Sequence, residues 1–189
     1  MKKALFIVDV QNDFTEGGAL GVAGGDDVAR GISDYLAAHA GDYALIIASR
    51  DWHHGHNDNG GHFAADEPDF VDTWPVHCVA GTEGADYDPG LDTNTVTHHV
   101  KKGQGKPAYS LFEGTTDAGE TVAELLAAHG IDEVDVTGIA TDYCVRASAL
   151  DALGDGRRVR VLTELIAGVA PASSAAALDE LAEAGATLV

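Results

Sequence analysis

Chemically active side chains occur in this sequence directly after its short apolar runs. Asp9 follows the first run, Arg50 to His53 the second, Lys102 the third and Cys144 the fourth. The carboxyl ends of parallel strands lie along one edge of a sheet, where α/β proteins bind their ligands. We therefore expect a carboxylate, an ammonium group and a thiol to meet at one edge, beside an Asp–His pair.

Cys144 is the candidate nucleophile. It is predicted to lie in the first turn of a helix that follows a strand, with Thr141 as the N-cap residue. The positive end of a helix dipole and a nearby cation both lower the pKa of a thiol, and the thiolate is the reactive form. The alternative is a small buried apolar residue, the role that we assign to Cys78, which has no such setting.

Asp9 ends a run of apolar residues that is expected to be buried. A buried carboxylate is costly unless it is paired, so Asp9 either binds a loop backbone or acts as the general base that accepts the thiol proton. In the second case Lys102 would hold the carboxylate ionised. Taken alone, Lys102 would be a solvated loop residue, as we predict for Lys101 and Lys106.

Five of the nine histidines lie in one polar stretch: His53, His54, His56, His62 and His77. Asp51 and His53 leave a strand together, and a later histidine would complete a set of ligands that suits Zn²⁺, Mn²⁺ or Fe²⁺. Three protein ligands leave positions open for water or substrate, as in catalytic sites. The alternative is a solvated, histidine-rich loop, and the spacing alone does not decide between the two.

Short apolar runs alternate with amphipathic segments, which predicts a parallel sheet covered by helices on both faces. A stretch of about 45 residues after the second strand is long for a compact domain, and its Trp52 and Trp74 favour a functional loop. We predict a single domain over residues 1–189, with this metal-site loop at about 50–95. The predicted strands are Ala4–Val10, Tyr43–Ser49, Thr95–Val100, Glu133–Gly138, Arg158–Thr163 and Ala186–Val189, and the predicted helices are Asp27–Ala40, Asp117–His129, Asp142–Leu153 and Ala172–Ala184.

Composition excludes several classes of protein. The chain carries 31 acidic and 11 basic residues, a formal net charge of −20 that disfavours binding to nucleic acid or an anionic membrane. Two cysteines do not make a disulfide scaffold, and no apolar stretch approaches the roughly 18 residues of a membrane span. We expect a soluble, cytoplasmic protein with a small-molecule partner, and the sequence leaves open whether it forms a homo-oligomer.

Short segments follow one another in a fixed order along the chain: Phe6–Phe14, Gly17–Leu20, Arg50–His53, His62-Phe63, Trp74–Cys78, Gly81-Thr82, Lys102-Gly103, Ala108–Ser110, Phe112 and Gly138–Val145. With this ordered set the sequence resembles the nicotinamidase/pyrazinamidase branch of the isochorismatase-like cysteine hydrolases, from Met1 to nearly the C-terminus. The resemblance implies the isochorismatase-like hydrolase fold, a three-layer α/β/α arrangement with a six-stranded parallel sheet. It also implies hydrolysis of nicotinamide, and of pyrazinamide, to the acid and ammonia.

The resemblance also implies roles for individual residues. Asp9 would be the base, Lys102 its cationic partner and Cys144 the nucleophile that forms a thioester. The backbone amides of Ala140 and Cys144 would form the oxyanion hole, next to a cis peptide bond between Ile139 and Ala140. The ring of the substrate would lie in a pocket walled by Phe14, Trp74 and Tyr109.

One divalent metal ion (Zn, Fe or Mn) is implied as the cofactor, bound by Asp51, His53 and His77 and holding the pyridine nitrogen of the substrate. His62 matches a fourth ligand that only some members of the family have. The connection from His53 to His62 departs from the family pattern, because it is richer in glycine and polar residues: Gly55, Asn57, Asp58, Asn59, Gly60 and Gly61. The sequence therefore leaves open whether His62 is a ligand.

Two other functions are compatible with the same fold. A metal-free relative that cleaves another small amide would not need Asp51, His53 and His77. A catalytically silent binding module would have no use for Asp9, Lys102 and Cys144 together. The presence of both sets favours the metal-dependent amidohydrolase.

Overall fold

A computed structural model describes residues 1–189, and its centre is one six-stranded sheet in which all paired strands are parallel. The strands are β1 (Lys3–Val8), β2 (Leu45–Asp51), β3 (His98–Lys102), β4 (Glu133–Ile139), β5 (Arg158–Ala167) and β6 (Thr187–Leu188). The helices are α1 (Gly25–His39), α2 (Val122–His129), α3 (Arg146–Gly154) and α4 (Pro171–Glu183). The strand order is β3-β2-β1-β4-β5-β6, so the predicted six-stranded parallel sheet between helices is confirmed.

Both faces of the sheet are buried, which explains the continuous apolar run of β1. Phe6 and Val8 pack into a cluster with residues of α2, α3 and α4, whereas Leu5 and Ile7 pack into a second cluster with residues of α1. Successive side chains of a strand point to opposite faces, so a strand covered on both sides must be apolar at every position. The sheet edge that carries the site is thereby held rigidly from both faces.

The elements β3 and α2 begin later in the chain than the sequence predicts. β3 spans His98–Lys102 rather than Thr95–Val100, so Lys102 is the last residue of the strand and pairs in register with Asp51. α2 begins at Val122 rather than Asp117, because the preceding residues form bridges through Thr115 and because Thr121 and Glu124 form a capping box.

The chain after β4 also differs from the prediction. Residues Thr141–Val145 form one π-helical turn, and α3 follows it directly. Thr141 is therefore not the N-cap, because Ala140 holds that position and no side chain caps the turn. β5 continues to Ala167, beyond a register shift against β4, which carries the chain to the same sheet edge as Cys144.

The long connection between β2 and β3 is folded back on itself by two isolated bridges. His53 bridges to Val79, and Phe63 bridges to Trp74, both in parallel orientation. These bridges place the histidines of the loop over the ends of β1 and β2.

None of the four helices combines the length and the apolar composition that crossing a membrane requires.

Candidate active site

The strand ends bring Asp9, Lys102 and Cys144 into one buried cluster. Lys102 Nζ lies 2.8 Å from Asp9 Oδ2 and 3.8 Å from Cys144 Sγ. The strand order explains this meeting, since β2 alone separates β3 from β1 and β4 lies on the other side of β1. The three residues that the sequence predicts as catalytic are thus within reach of one another.

The Asp9 carboxylate is held by a residue that the sequence analysis missed. Ser49 Oγ donates a hydrogen bond of 2.7 Å to Asp9 Oδ1, which leaves Oδ2 for Lys102. Ser49 is fully buried in β2. The available signal was a hydroxyl directly after the apolar run Leu45–Ala48, because a buried hydroxyl needs a partner.

Burial and the neighbouring charges together set the charge states in this cluster. It raises the pKa of the Asp9 carboxyl above its ordinary value, although the Lys102 ammonium opposes the shift. Burial lowers the pKa of Lys102, but the carboxylates of Asp51 and Asp9 outweigh it, so the pKa lies well above its ordinary value. Lys102 is therefore a permanent cation, and Asp9 is a stronger proton acceptor than an exposed carboxylate.

Burial opposes the activation of Cys144 that its place in the turn and the nearby Lys102 are expected to provide. Burial raises the pKa of the Cys144 thiol well above its ordinary value, and Lys102 only partly opposes this. The carboxylates of Asp9 and Asp51 add to the rise, Asp9 through a side-chain hydrogen bond with the thiol. Lys102 is shared with two carboxylates and so cannot act for the thiol alone. The nucleophile consequently rests as a thiol whose proton faces a base.

The predicted metal ligands converge beside this cluster. Asp51 Oδ2 lies 3.6 Å from His53 Nε2 and 3.8 Å from His77 Nε2, while Asp51 Oδ1 accepts a hydrogen bond from Lys102. One ligand atom from each of His53, His62 and His77 lies within 4.8 Å of the others. The arrangement therefore includes His62, whose role the sequence leaves open.

The donor set fits a divalent metal ion. His53 Nε2 and His62 Nδ1 are buried and have no hydrogen-bond partner, as expected of atoms that bind a metal ion. Burial lowers the pKa of His77 and lowers that of His62 to about 4, so both imidazoles are neutral, the form that binds metals. Three imidazoles and one carboxylate suit Zn²⁺, Fe²⁺ or Mn²⁺.

Backbone carbonyls orient two of the imidazoles. His53 Nδ1 lies 2.7 Å from the Gly103 carbonyl oxygen, and His77 Nδ1 lies 2.7 Å from the Pro75 carbonyl oxygen. Such bonds fix the protonated nitrogen and leave Nε2 free as a ligand. Gln11 holds Asp51 in a similar way, because its side-chain amide bonds both the N–H and the carbonyl of Asp51.

A cavity of about 380 Å³ connects the thiol to the histidine cluster. It contains the predicted wall residues Phe14, Trp74 and Tyr109, and the Trp74 indole donates a hydrogen bond of 3.1 Å to the Tyr109 hydroxyl. The sequence analysis missed other wall residues, since their positions depend on loops: Leu20, Val22, Phe70, Ala108, Tyr143 and Val169. The remaining lining side chains include Asp51, His62, His77, Ala140 and Cys144. The size and apolar lining suit one small aromatic ring.

Ala140 has the geometry that the resemblance predicts for an anion site. The peptide bond between Ile139 and Ala140 is cis, and Ala140 lines the cavity. Its N–H donates no hydrogen bond to another group of the chain. A free N–H at the wall of a closed site can stabilise a developing oxyanion.

Asp142 ties the turn of Cys144 to the opposite wall of the cavity. Its carboxylate accepts hydrogen bonds from the N–H groups of Val169 (2.9 Å) and Ala170 (3.2 Å), and from Ser173 Oγ (2.5 Å). Ala170 is the N-cap residue of α4 and has no side chain that could cap the helix. Asp142 supplies this cap from another element, a contact that sequence reasoning did not predict.

The remaining candidates lie outside the cluster. His54 and His56 stack on each other with ring centroids 5.2 Å apart, and neither belongs to the metal-binding group. Cys78 is fully buried, and its Sγ lies 3.9 Å from the Gly84 carbonyl oxygen. Burial raises the pKa of this thiol also, and the neighbouring carboxylate, Asp13, accepts a hydrogen bond of 2.6 Å from the backbone N–H of Cys78 rather than from the thiol.

Known proteins are similar to this chain over nearly its full length. Residues 3–189 match the family model of the isochorismatase domain. The nicotinamidase/pyrazinamidase of Mycobacterium tuberculosis is 50% identical over 187 residues, which cover 99% of this chain and 98% of that protein. The nicotinamidase of Escherichia coli is 38% identical and covers 98% of this chain and 93% of its own length.

Solved structures share the fold. PnC1 from L. infantum in complex with nicotinate has a TM-score of 0.86 at 34% identity, covering 100% of this chain and 92% of that chain. The pyrazinamidase of Pyrococcus horikoshii in complex with zinc has a TM-score of 0.84 at 38% identity, covering 100% of this chain and 99% of that chain.

Proposed function

The chain belongs to the nicotinamidase/pyrazinamidase branch of the isochorismatase domain family, and we propose that it is itself a metal-dependent nicotinamidase. It would convert nicotinamide to nicotinate and ammonia, and pyrazinamide in the same way. The observation that carries this proposal is the single cavity with a thiol at one wall and a histidine–carboxylate cluster at another. Nicotinamide has two reactive features, a carboxamide and a ring nitrogen, and the cavity offers a partner for each.

Proton transfer within the buried cluster starts the reaction that we propose. Asp9 accepts the proton of Cys144 while Cys144 Sγ attacks the carbon of the carboxamide. Lys102 stays charged throughout, because its pKa lies well above the ordinary value, and it stabilises the carboxylate and the nascent thiolate. Removing the proton only when the substrate is bound suits a thiol whose resting pKa is raised.

The Asp9 carboxyl group transfers protons both when the thioester forms and when it is hydrolysed. The negative oxygen of the tetrahedral intermediate lies against the N–H groups of Ala140 and Cys144. The C–N bond then breaks, Asp9 returns its proton to the departing ammonia, and Cys144 retains the acyl group as a thioester. Water, deprotonated by Asp9, cleaves the thioester to nicotinate and restores the thiol.

Asp51, His53, His62 and His77 would hold the divalent metal ion. When bound, the ion would act as a Lewis acid toward the ring nitrogen, and it would thereby hold the ring in place and withdraw electrons from it. Phe14, Trp74 and Tyr109 pack around the ring and exclude water from it. The alternative of a metal-free amidase is disfavoured because four ligand side chains converge with two orphaned imidazole nitrogens.

Ammonia release from nicotinamide tests the proposal directly. The purified chain should release ammonia from nicotinamide and from pyrazinamide, and a chelator should abolish both activities. Cys144→Ser, which keeps the shape of the site, should be inactive in the same assay. An absence of ammonia release by the zinc-loaded protein would refute the proposed function, and activity that survives verified metal removal would refute its metal dependence.

We also propose a cytoplasmic location, because both cysteines are free and a reducing compartment keeps thiols in that form.

A further inference from the structure

Asn59 is a fully buried amide at the centre of the loop that carries His62. Its Oδ1 accepts hydrogen bonds from the N–H groups of His54 (2.8 Å) and Gly105 (3.1 Å). Its Nδ2 donates to the carbonyl oxygens of His54 (2.9 Å) and Asn57 (3.3 Å). Both acceptor positions and both donor positions of this amide are thus occupied.

The segments that Asn59 joins all lead to metal ligands. His54 directly follows His53 in the chain. Gly105 lies two residues after Gly103, whose carbonyl oxygen orients the His53 ring. The carbonyl oxygen of Asn59 itself accepts a hydrogen bond of 3.4 Å from the N–H of His62.

The backbone conformation at this point needs such a support. Asn59, Gly60 and Gly61 have φ values of 51°, 69° and 86°, so three consecutive residues lie in the left-handed region. Asn and Gly tolerate this conformation, but two glycines in sequence are flexible and do not select it. The side chain of Asn59 selects it, because its four hydrogen bonds form only when the loop is closed.

His62 is also held from the side that follows it in the chain. Its carbonyl oxygen accepts a hydrogen bond of 2.9 Å from the N–H of Trp74, next to the bridge between Phe63 and Trp74. Asn59 therefore provides the second of two anchors on either side of His62. The N–H of Phe63 also bonds the carbonyl oxygen of Asp58 (2.9 Å), so the ends of this loop are joined by the backbone, and the side chain of Asn59 fixes the conformation between them.

We propose that Asn59 is a positioning residue of the metal site, which closes the Gly-rich loop and thereby places His62 among the other ligands. The inference rests on the metal site of the proposed function and deepens it. It also explains how a connection of this composition can carry a ligand at all. Residues that orient ligands from outside the site typically change metal affinity by about 10- to 100-fold.

Zinc affinity, measured by competition with a chromogenic chelator, tests this role without any assay of activity. Asn59→Gly, which suits the positive φ, should weaken Zn²⁺ binding by about 10- to 100-fold. Asn94→Gly is the matched control: Asn94 lies in an exposed loop, its side chain makes no hydrogen bond within the chain, and its substitution should leave the affinity unchanged. Unchanged affinity of Asn59→Gly would overturn the proposal.

A double-mutant cycle identifies the ligand through which Asn59 acts. In a His62→Ala background, Asn59→Gly should cause no further loss of zinc affinity. A full additional loss there would mean that Asn59 acts through His53, and would overturn the assignment to His62. Asn59→Asp keeps the two hydrogen bonds that Oδ1 accepts, so it should weaken zinc binding less than Asn59→Gly. It replaces Asn59→Gly in the test if circular dichroism shows that the glycine variant does not fold. A wild-type chain that binds no zinc would overturn the metal site as well. If the wild type binds zinc and Asn59→Gly binds it with the same affinity, only the role of Asn59 is overturned.

Discussion

Burial changes the proton affinity of both reacting groups in the catalytic cluster. The pKa values of Cys144 and Asp9 are both raised, so the thiol proton has an acceptor of increased basicity beside it. Lys102 remains charged between them and limits the cost of forming a thiolate. The site therefore gains its reactivity from a pair of matched groups rather than from a permanently ionised cysteine.

We predict that the thiols of Cys144 and Cys78 differ in reactivity. Iodoacetamide at neutral pH should alkylate Cys144 first, in parallel with the loss of activity, because Cys144 lines the cavity whereas Cys78 is fully buried. Mass spectrometry of partially labelled protein measures the order. Preferential labelling of Cys78 would contradict the assignment of the nucleophile.

The substitution Asp9→Asn separates the effect of Asp9 on the reactivity of the Cys144 thiol from its role as acid and base in turnover. It removes a carboxylate that raises the pKa of Cys144, while Lys102 can still stabilise the thiolate. Alkylation of Cys144 should therefore fall less than turnover, which loses a general acid–base worth about 10²- to 10⁴-fold in rate. Near-normal turnover of this variant would contradict the role of Asp9.

The sequence predicts which side chains meet at the sheet edge better than it predicts their charge states. Asp9, Lys102 and Cys144 could be found because each follows or ends an apolar run, and parallel strands bring such positions together. The raised pKa of Cys144 could not be found, since it depends on how deeply the thiol is buried. The convergence of His62 on the other histidines could not be found either, because the closing contacts of Asn59 join segments that are distant in sequence.

Among the elements, the turn of Cys144 and the start of α4 depend on each other. Asp142, two residues before the nucleophile, accepts two backbone hydrogen bonds at the start of α4 and one from Ser173. Val169, whose N–H donates one of these bonds, lines the cavity. The position of a helix is in this way linked to the position of the nucleophile and to the shape of the pocket.

We predict that Asp142→Ala lowers both stability and activity. The loss of hydrogen bonds to a buried carboxylate should reduce the free energy of unfolding by about 2 kcal/mol. Since Val169 and the Cys144 turn lose their connection, kcat/KM should fall about 10- to 100-fold. Urea unfolding and steady-state kinetics on the zinc-loaded protein measure the two effects.

Thr121→Ala is the matched control for this prediction. Thr121 caps α2 by accepting a hydrogen bond of 3.3 Å from the N–H of Glu124, away from the cavity. Its loss should cost about 1 kcal/mol and leave kcat/KM unchanged. If Asp142→Ala also leaves kcat/KM unchanged, Asp142 is only a helix cap.

The boundaries of the elements show where sequence patterns reach their limit. The alternation of strands and helices correctly predicts all six strands and four helices in order. The late start of α2 was missed because residues from Thr115 to Thr121 bridge to each other and to β3, which no local periodicity reveals. The π-helical turn at Cys144 was missed for a similar reason, since tertiary contacts around the site determine its pitch.

For the whole molecule, the core and the metal site are separate. Two apolar clusters of 21 and 14 buried residues cover the faces of the sheet, and none of the four proposed ligands belongs to either. A chain of this size does not need a metal ion to form a core. The fold should therefore persist when the metal is removed.

Chelation is expected to separate folding from activity. The metal-free protein should keep its circular dichroism spectrum and lose its amidase activity, which added Zn²⁺, Mn²⁺ or Fe²⁺ should restore. A cooperative loss of the spectrum on chelation would show instead that the ion is structural.

The net charge of −20 should have little influence on substrate capture. Nicotinamide is neutral at pH 7, so the field of the protein has no charge to steer, and screening already limits that field to about 10 Å at 0.1 M salt. We expect kcat/KM to be nearly constant across an ionic-strength series in a salt without coordinating anions. A steep monotonic change while the fold is intact would contradict this expectation.

Asp51 faces two ways, and this has a consequence for how mutants are interpreted. One of its oxygens bonds Lys102, and the other faces His53 and His77. Its replacement is therefore pleiotropic: Asp51→Ala should impair the ammonium that serves Cys144 together with the metal site, and excess zinc should not rescue it. His77→Ala affects the metal side alone. A mutational screen scored by activity would rank Asp51 above His77, and that ranking would reflect two lost duties rather than a stronger metal bond.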